Sequence, residues 1–203
     1  MKIAVVGATG NVGSRIVAEL LRRGHQVTAI ARNPDKVPAQ PGLTAQKGDV
    51  FDPAGLARLL RGHDVAISSV HFLASDPDKL VAAVKSAEVG RYIVVGGAGS
   101  LEVAPGMALV TAPGFPPQYK AEAEAGGVFL QRLKQEKELN WTFLSPSALF
   151  VAGERTGHFR LGTDQLLTAA DGKSWISYED YAAALADEVE KPAHPRQRFT
   201  VGY

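Results

Sequence analysis

The chain has 203 residues and a formal net charge of +1, from 22 basic and 21 acidic side chains. This balance excludes the electrostatic footprint of a nucleic-acid-binding protein, so no nucleic-acid partner is predicted. Cysteine is absent, which excludes disulfides, thiolate catalysis and cysteine-ligated metals, and the five histidines show no metal-ligand spacing. The length suits a single domain over residues 1–203 that buries its own core.

Hydropathy gives no sign of membrane association. No apolar run approaches the roughly 20 residues that a membrane-spanning helix needs. The first predicted strand begins at Ile3, which leaves no room for a signal peptide before it. We therefore expect a cytoplasmic protein with no membrane partner, present as a monomer or a homodimer.

The first predicted element is an apolar strand, Ile3–Val6, that runs directly into a glycine-rich turn. Gly7 permits a tight turn, Gly10 omits a Cβ where a phosphate must approach, and Gly13 lets the next helix pack close to the strand. Backbone N–H groups and the helix dipole favour an anion at this point. The context predicts a dinucleotide site, with a purely structural turn as the alternative. The residues expected around the pyrophosphate are Gly7, Thr9, Gly10, Asn11, Val12 and Gly13.

Beyond this turn, apolar runs alternate with helical patterns along the chain. Several of the runs are continuous, which is typical of parallel strands covered on both faces. This order predicts an α/β fold with a doubly wound parallel sheet and a ligand at the carboxyl ends of its strands. The predicted strands are Ile3–Val6, Gln26–Ile30, Leu43–Lys47, Asp64–Ser68, Arg91–Val95, Trp141–Ser145 and Gln197–Val201.

Short capping signals mark where the helices between these strands begin. The dipeptides Asp52-Pro53 and Asp76-Pro77 each combine an N-cap residue with proline at the first helical position. Ser177 with Asp180 forms a capping signal that predicts a last helix over residues 178–190.

Two segments outside the regular pattern are candidates for the substrate side of the site. The stretch Gly96–Pro117 is rich in glycine and proline and follows the fifth strand, so we expect it to form a wall of the site, with a flexible connection as the alternative. The stretch Gly153–Ser174 alternates short polar and apolar runs. It predicts hairpin-like strands, and hence a small C-terminal cap on the substrate side over about residues 146–178.

The residues after the second and fourth strands indicate which dinucleotide binds and where. NAD-selective sites of this kind place an acidic residue after the second strand, but here Arg32 stands there and offers a planar cationic fork for a 2′-phosphate. We therefore expect NADP, with NADPH preferred over NADH. The alternative is that Arg32 is a solvated surface residue partnered by Asp35. After the fourth strand, the residues expected to line the cofactor's ribose and nicotinamide are Ser68, Ser69, Val70 and His71.

The glycine turn, GATGNVG, resembles the motif of the short-chain dehydrogenase/reductase superfamily, in particular its extended and atypical branches. Nearly the whole chain resembles the atypical group named NADH-flavin reductases, close to NmrA-like and biliverdin-reductase-B-like proteins. The resemblance implies a single Rossmann-type domain that binds NAD(P) and reduces flat conjugated acceptors such as flavins or quinones. The segments that carry it are Gly7–Gly13, Phe115–Lys120, Trp141–Pro146, Gly153–Gly157 and Ile176–Ala182.

The same resemblance assigns roles to two pairs of residues. Asp49 and Val50 match the pair that contacts the adenine in this superfamily, although a turn or cap is a competing use for Asp49. Ser145 and Pro146 match a loop that closes over the nicotinamide, with a plain turn as the alternative.

The catalytic signature of the main superfamily is incomplete in this chain. Members of the main type use a serine, a tyrosine and a lysine four residues after the tyrosine. Ser100 and Tyr119 stand in the places of the serine and tyrosine, but the position four residues on is Ala123. Lys120 is adjacent to Tyr119, and on a helix it points about 100° away from it. The Y-x-x-x-K signature is therefore absent, and we do not expect alcohol dehydrogenation.

Three catalytic candidates remain: Tyr119, Ser100 and His71, the last as a proton donor or stacking wall at the nicotinamide, or else an ordinary loop histidine. We expect an NADPH-dependent reductase of flat acceptors, because hydride transfer to an electrophilic ring allows water to supply the proton. The alternatives are an NADP-binding sensor of NmrA type without turnover and a sugar-type epimerase or dehydratase.

Overall fold

The computed structural model describes residues 1–203, which form twelve strands and five α-helices. The strands are β1 (Lys2–Val6), β2 (Gln26–Ala31), β3 (Leu43–Lys47), β4 (Val65–Ser68), β5 (Arg91–Val95), β6 (Glu102–Ala104), β7 (Met107–Ala108), β8 (Trp141–Pro146), β9 (Leu149–Val151), β10 (Arg160–Gly162), β11 (Trp175–Ser177) and β12 (Gln197–Gly202). The helices are α1 (Asn11–Arg22), α2 (Pro53–Leu60), α3 (Pro77–Ser86), α4 (Pro117–Gln135) and α5 (Tyr178–Glu190).

Eight strands form the central sheet in the order β3-β2-β1-β4-β5-β8-β12-β10. The first seven run parallel, and β10 is antiparallel to its neighbour β12. The direction in which the chain adds strands reverses between β1 and β4, and such a switch point is where open parallel sheets bind ligands. The predicted doubly wound α/β fold is confirmed, and all seven predicted strands lie within one residue of their observed bounds.

Two hydrophobic layers cover the sheet, because successive residues of a strand point to opposite faces. Ile3 and Val5 of β1 pack in a layer with α1 and α5, whereas Ala4 and Val6 pack in a layer with α2, α3 and α4. With both faces covered, the carboxyl edge of the sheet is where a ligand can approach the strands. None of the five helices combines the length and apolar composition that crossing a membrane requires.

The predicted capping residues begin the helices as expected. The Asp52 carboxylate accepts a hydrogen bond from Gly55 N at 2.9 Å at the start of α2, and Asp76 accepts from two N–H groups of the first turn of α3. Ser177 Oγ accepts from Asp180 N at 3.0 Å, and α5 has the predicted bounds. These bonds satisfy N–H groups that have no partner within the helix.

The segment 153–174 does not form the predicted hairpin. β10 pairs with β12, with Leu161 opposite Val201, and so covers a sheet edge that β12 would otherwise expose. β9 and β11 form a separate parallel pair, with Leu149 opposite Trp175. The hairpin prediction is wrong because each strand finds its partner far along the chain, which local alternation does not reveal.

Two further expectations about loops are corrected. Ser145 and Pro146 lie inside β8, where they pair with Thr200 and Val201 of β12, and so are not in a loop. The stretch 96–117 folds on itself through the short antiparallel pair β6 and β7. Of that stretch only Gly96 lines the cleft described below, so the predicted wall is not formed.

Candidate functional site

A cleft with a volume of about 470 Å³ opens at the carboxyl edge of the sheet, at the switch point between β1 and β4. Its floor is formed where β1, β2 and β5 end, at Val6, Ile30 and Val95. This size lies within the range of about 300–1,000 Å³ that is typical of small-molecule sites. The glycine turn lies at its centre, and the two ends of the cleft differ in chemistry.

The three glycines of the turn have three different surroundings. Gly7 has φ +82°, and a Cβ there would lie 2.8 Å from Ser69 C and 2.9 Å from Val70 Cγ1. A Cβ at Gly13 would lie 3.0 Å from Gly7 C, so Gly13 is buried behind the turn and does not line the cleft. A Cβ at Gly10 would meet nothing closer than Gly7 O at 3.3 Å. Gly10 is therefore the glycine whose missing side chain opens the cleft itself.

The N-terminus of α1 faces this opening. Its N-cap is Gly10, which provides no side-chain cap, and the first turn of the helix carries no acidic residue. Thr9, Asn11 and Val12 line the cleft beside it. Uncapped N–H groups together with the positive end of the helix dipole form an anion site, so the arrangement suits a pyrophosphate.

One end of the cleft lies between β2 and β3 and carries Arg32, Asp49 and Val50. Arg32 is exposed and forms no ion pair, with Asp35 or with any other carboxylate, in this structure. Asp49 Oδ1 accepts a hydrogen bond from Phe51 N at 2.9 Å, which is the competing turn role, and its second oxygen has no protein partner. Phe51 also lines the cleft and is 50% exposed. A cation and an exposed aromatic ring therefore stand where the fold would place the adenosine.

The other end of the cleft lies beyond β4 and β5. Ser69, Val70 and His71 line it as predicted. Ser68 does not, because it is buried and its hydroxyl bonds to Tyr92 OH at 2.9 Å. A strand alternates its side chains between faces, and the one-residue difference between Ser68 and Ser69 decides which of them reaches the cleft.

Sequence reasoning missed the aromatic and acidic walls of this end. Phe72 and Glu122 line one side, and Phe150 and Tyr178 line the other. The Phe150 and Tyr178 rings meet edge to face, with centroids 4.7 Å apart. The Arg15 guanidinium lies 5.8 Å from the centroid of the Tyr178 ring. The capping signal at Ser177 was the available clue to Tyr178, since it placed the start of a helix next to a strand end.

The structure brings only one of the three catalytic candidates into the cleft. Tyr119 is 62% exposed on α4 and does not line the cleft. Ser100 Oγ lies 3.4 Å from Arg198 Nη1, and Arg198 pairs with Asp164, so Ser100 belongs to a polar cluster outside the cleft. His71 alone is in place. Lys120, the residue that could have replaced the missing lysine, lies 4.0 Å from Glu124 on the same helix.

Comparison with known proteins decides the family. A family model described as NAD(P)H-binding matches residues 7–192, from the first glycine of the turn to the end of α5 and just beyond. The chain belongs to this NAD(P)H-binding family. The resemblance to atypical short-chain dehydrogenases/reductases is confirmed by this match together with the relatives that carry oxidoreductase names.

Among curated relatives, the uncharacterized protein YwnB of Bacillus subtilis is 41% identical over 209 residues, covering 99% of this chain and 98% of YwnB. The NAD(P)H azoreductase of Xenophilus azovorans is 27% identical and covers 98% of this chain and 67% of its own length. Both alignments extend over essentially the whole chain, including both ends of the cleft.

Solved structures also match the whole chain. One, from Bacteroides thetaiotaomicron and provisionally named an epimerase, has a TM-score of 0.95 and 40% identity, covering all of this chain and 96% of that one. Another, from Streptococcus pneumoniae and provisionally named an NADH-flavin reductase, has a TM-score of 0.87 and 37% identity, covering 100% and 99%. The fold is thus shared throughout, while the names of the relatives differ in activity.

The residues present in this NAD(P)H-binding chain fit the cofactor of its family. The exposed Gly10 position and the uncapped start of α1 leave room and N–H groups for a pyrophosphate, and Arg32 is an unpaired cation. Ser145 Oγ is completely buried with no hydrogen-bond partner. The preceding residue, Leu144, accepts a hydrogen bond from Gly96 N at 2.8 Å. The Ser145 hydroxyl therefore belongs to β8, the strand next to β5, whose end forms part of the cleft floor. Pro146 beside it is buried and does not line the cleft.

A cluster of arginines around Glu19 anchors α1, which carries the glycine turn at its N-terminus. Arg155 Nε lies 2.8 Å from Glu19 Oε2, and this pair ties the segment after β9 to the helix. Burial raises the pKa of Glu19, but hydrogen bonds from Arg22, Arg155 and Arg23 outweigh it and hold the pKa well below its usual range. Glu19 therefore stays ionised and keeps α1 fixed against its neighbours.

Proposed function

We propose that this protein is a reductase that uses NADPH to reduce a flat conjugated acceptor such as a flavin or a quinone. The observation that carries the proposal is the form of the cleft: an anion site at its centre, an unpaired arginine at one end and aromatic walls at the other. The names of two relatives, an NADH-flavin reductase and an NAD(P)H azoreductase, support a flat acceptor.

The cofactor would be held mainly by the main chain of the glycine turn, at Gly7, Gly10 and the start of α1. Gly13 acts indirectly, because it allows the helix to approach the turn. Arg32 would bind a 2′-phosphate, which is the basis for preferring NADPH over NADH, since each hydrogen bond to a charged group is worth about 1.5–3 kcal/mol. Asp49 and Val50 would border the adenosine, and Ser69 and Val70 would border the other half of the cofactor.

When bound, the cofactor supplies a hydride at the aromatic end of the cleft. Phe72 from one wall and Phe150 and Tyr178 from the other exclude water there and orient a flat ring by stacking and edge contacts. Orientation of the two reactants in one cleft is worth several kcal/mol of the barrier. We also infer that the segment 146–178 covers the acceptor through Phe150 and Tyr178, the two residues of that segment that line the cleft.

Steady oxidation of NADPH tests the proposal. We expect turnover with at least one member of a panel of FMN, riboflavin and small quinones, and no oxidation of simple secondary alcohols with NADP⁺. Flavin should leave on dialysis, since one dinucleotide turn is present and flavin is expected as a substrate. Saturable NADPH binding without reduction of any acceptor would favour the sensor of NmrA type. Interconversion of nucleotide-sugar epimers with no net reduction of NADP⁺ would favour the epimerase, which is also the provisional name of the Bacteroides relative.

A further inference from the structure

Glu122 and His71 form the only pair of titratable groups at the aromatic end of the cleft whose side chains touch. The Glu122 carboxylate comes from α4, and its Oε1 lies 3.3 Å from His71 Nδ1. Neither residue is used by cofactor binding as proposed above. Under the proposed function, this pair lies beside the place where the acceptor would be reduced.

The carboxylate is held in place independently of the histidine. Glu122 Oε1 accepts a hydrogen bond from Phe72 N at 2.7 Å, and Oε2 accepts from Leu73 N at 3.1 Å. The Phe72 ring is in turn fixed between helix and sheet, since it stacks on Phe143 with centroids 6.2 Å apart. A Cβ at Gly126 of α4 would lie 2.8 Å from that ring. The two backbone hydrogen bonds fix the position of the carboxylate, so Glu122 presents acceptor oxygens to the imidazole.

This arrangement selects the orientation and tautomer of His71. A carboxylate only accepts hydrogen bonds, so His71 Nδ1 carries a hydrogen when it faces Glu122. Nε2 has no hydrogen-bond partner in the protein. The side chain is 87% exposed, so solvent can protonate it again after each turnover. No other titratable side chain lies between residues 69 and 75, and Glu122 is the charged group that α4 directs at the ring.

We propose that His71 donates the proton that the reduced acceptor takes up, and that Glu122 is the positioning residue that orients it. This rests on the proposed function, because it concerns the proton step of that reaction. Addition of a hydride, which is two electrons and one proton, would leave the acceptor ring as an anion. The Nε2–H bond of His71 then breaks, the proton neutralises the anion, and the neutral imidazole takes a proton from solvent. One NADPH and one proton are consumed per acceptor reduced by two electrons.

Two variants and a matched control test the assignment. His71→Asn is expected to lower kcat at pH 6 by roughly 10- to 10²-fold, at the low end of general acid catalysis because water can substitute. Its KM for NADPH is expected to stay within twofold of wild type, so the loss should appear in kcat alone. His158→Asn is the control, because His158 is also exposed but does not line the cleft. It should match wild type throughout.

The Glu122→Gln variant distinguishes two roles of Glu122: orienting the His71 ring, and supporting the turn at Phe72 and Leu73. The amide can still accept one of the two backbone hydrogen bonds, but its NH2 group can no longer accept from the imidazole, so kcat should fall while the KM for NADPH stays within twofold of wild type. A purely structural role would lower the melting temperature and leave kcat unchanged. NMR gives a readout without turnover: the His71 ring signal, identified by its loss in His71→Asn, should shift when NADP⁺ is added, while the His158 signal should not.

The possible failures are distinguishable. A wild-type kcat in His71→Asn would overturn the donor assignment while leaving the proposed function intact. A larger loss of kcat in Tyr178→Phe, which removes the hydroxyl of the aromatic wall, would do the same. If the wild-type protein reduces no acceptor, the proposed function fails and the proton step fails with it. An NMR signal of His71 that ignores NADP⁺ would place the ring away from the reacting centre and also overturn the assignment.

Discussion

Substituting Gly10 with threonine should abolish dinucleotide binding while leaving the fold intact. Gly10 has φ −73° and ψ 167°, a conformation open to any residue, and a Cβ there meets only Gly7 O at 3.3 Å. Threonine is a competent N-cap, so α1 should keep or gain stability. Its branched side chain would occupy the space over the helix N-terminus. Losing two hydrogen bonds to a pyrophosphate costs about 3–6 kcal/mol, which is a loss of affinity of about 10²-fold or more.

Gly13→Ala should instead lower the stability of the fold, measured as Tm. A Cβ at Gly13 would lie 3.0 Å from Gly7 C and 3.2 Å from Ala8 Cα, so the turn must shift. Overpacking of this kind costs about 1–3 kcal/mol, or roughly 2–12 °C in Tm for a chain of this size. Gly127→Ala is the control: this α4 glycine has free space and does not line the cleft, so affinity and Tm should not fall.

The assay is titration of NADPH by calorimetry, with Tm measured by circular dichroism on the same samples. The expected pattern is a Gly10→Thr protein with unchanged Tm and no measurable binding. A folded Gly10→Thr protein with the wild-type Kd for NADPH would refute the assignment of the phosphate site. A Gly13→Ala protein as stable as wild type would refute the packing role given to that glycine.

Three further predictions concern side chains. Arg32→Ala should weaken NADPH binding by about 1.5–3 kcal/mol and leave NADH nearly unchanged, and calorimetry showing equal wild-type affinity for the two cofactors would contradict the selectivity. Tyr119→Phe should lower acceptor turnover less than tenfold, because Tyr119 lies outside the cleft; a loss of about 10²-fold at unchanged cofactor affinity would show that it is the acid. Glu19→Gln should lower Tm at pH 7: since the pKa of Glu19 is depressed in the fold, ionised Glu19 stabilises it above about pH 4.3, and the difference from wild type should shrink as pH falls below that value.

The parts of the molecule that depend on local pattern could be predicted from the sequence. Continuous apolar runs identified the parallel strands, and the caps at Asp52, Asp76 and Ser177 identified helix starts because each bond lies within a few residues. The glycine turn was recognisable because a strand was predicted before it and a helix after it. These features need no knowledge of distant contacts, which is why they agree with the structure.

The parts that depend on distant contacts could not be predicted. The partner of β10 is β12, some 40 residues later, and Ser100 lies beside an arginine 98 positions away. The acceptor end of the cleft combines Glu122, Phe150 and Tyr178 from three separate elements, none within a recognisable motif. A sequence motif signals main-chain chemistry such as phosphate binding, whereas side chains that meet across a cleft leave no spacing to recognise.

We propose that the cleft passes a hydride from NADPH to a flat acceptor. The anaerobic stoichiometry of NADPH oxidised to riboflavin or quinone reduced tests this directly, followed in one stopped-flow experiment with NADPH deuterated at the transferred position. We expect one acceptor reduced per NADPH consumed, with slower reduction for the deuterated cofactor. Tight NADPH binding with no reduction of any acceptor, or reduction insensitive to Gly10→Thr, would contradict it.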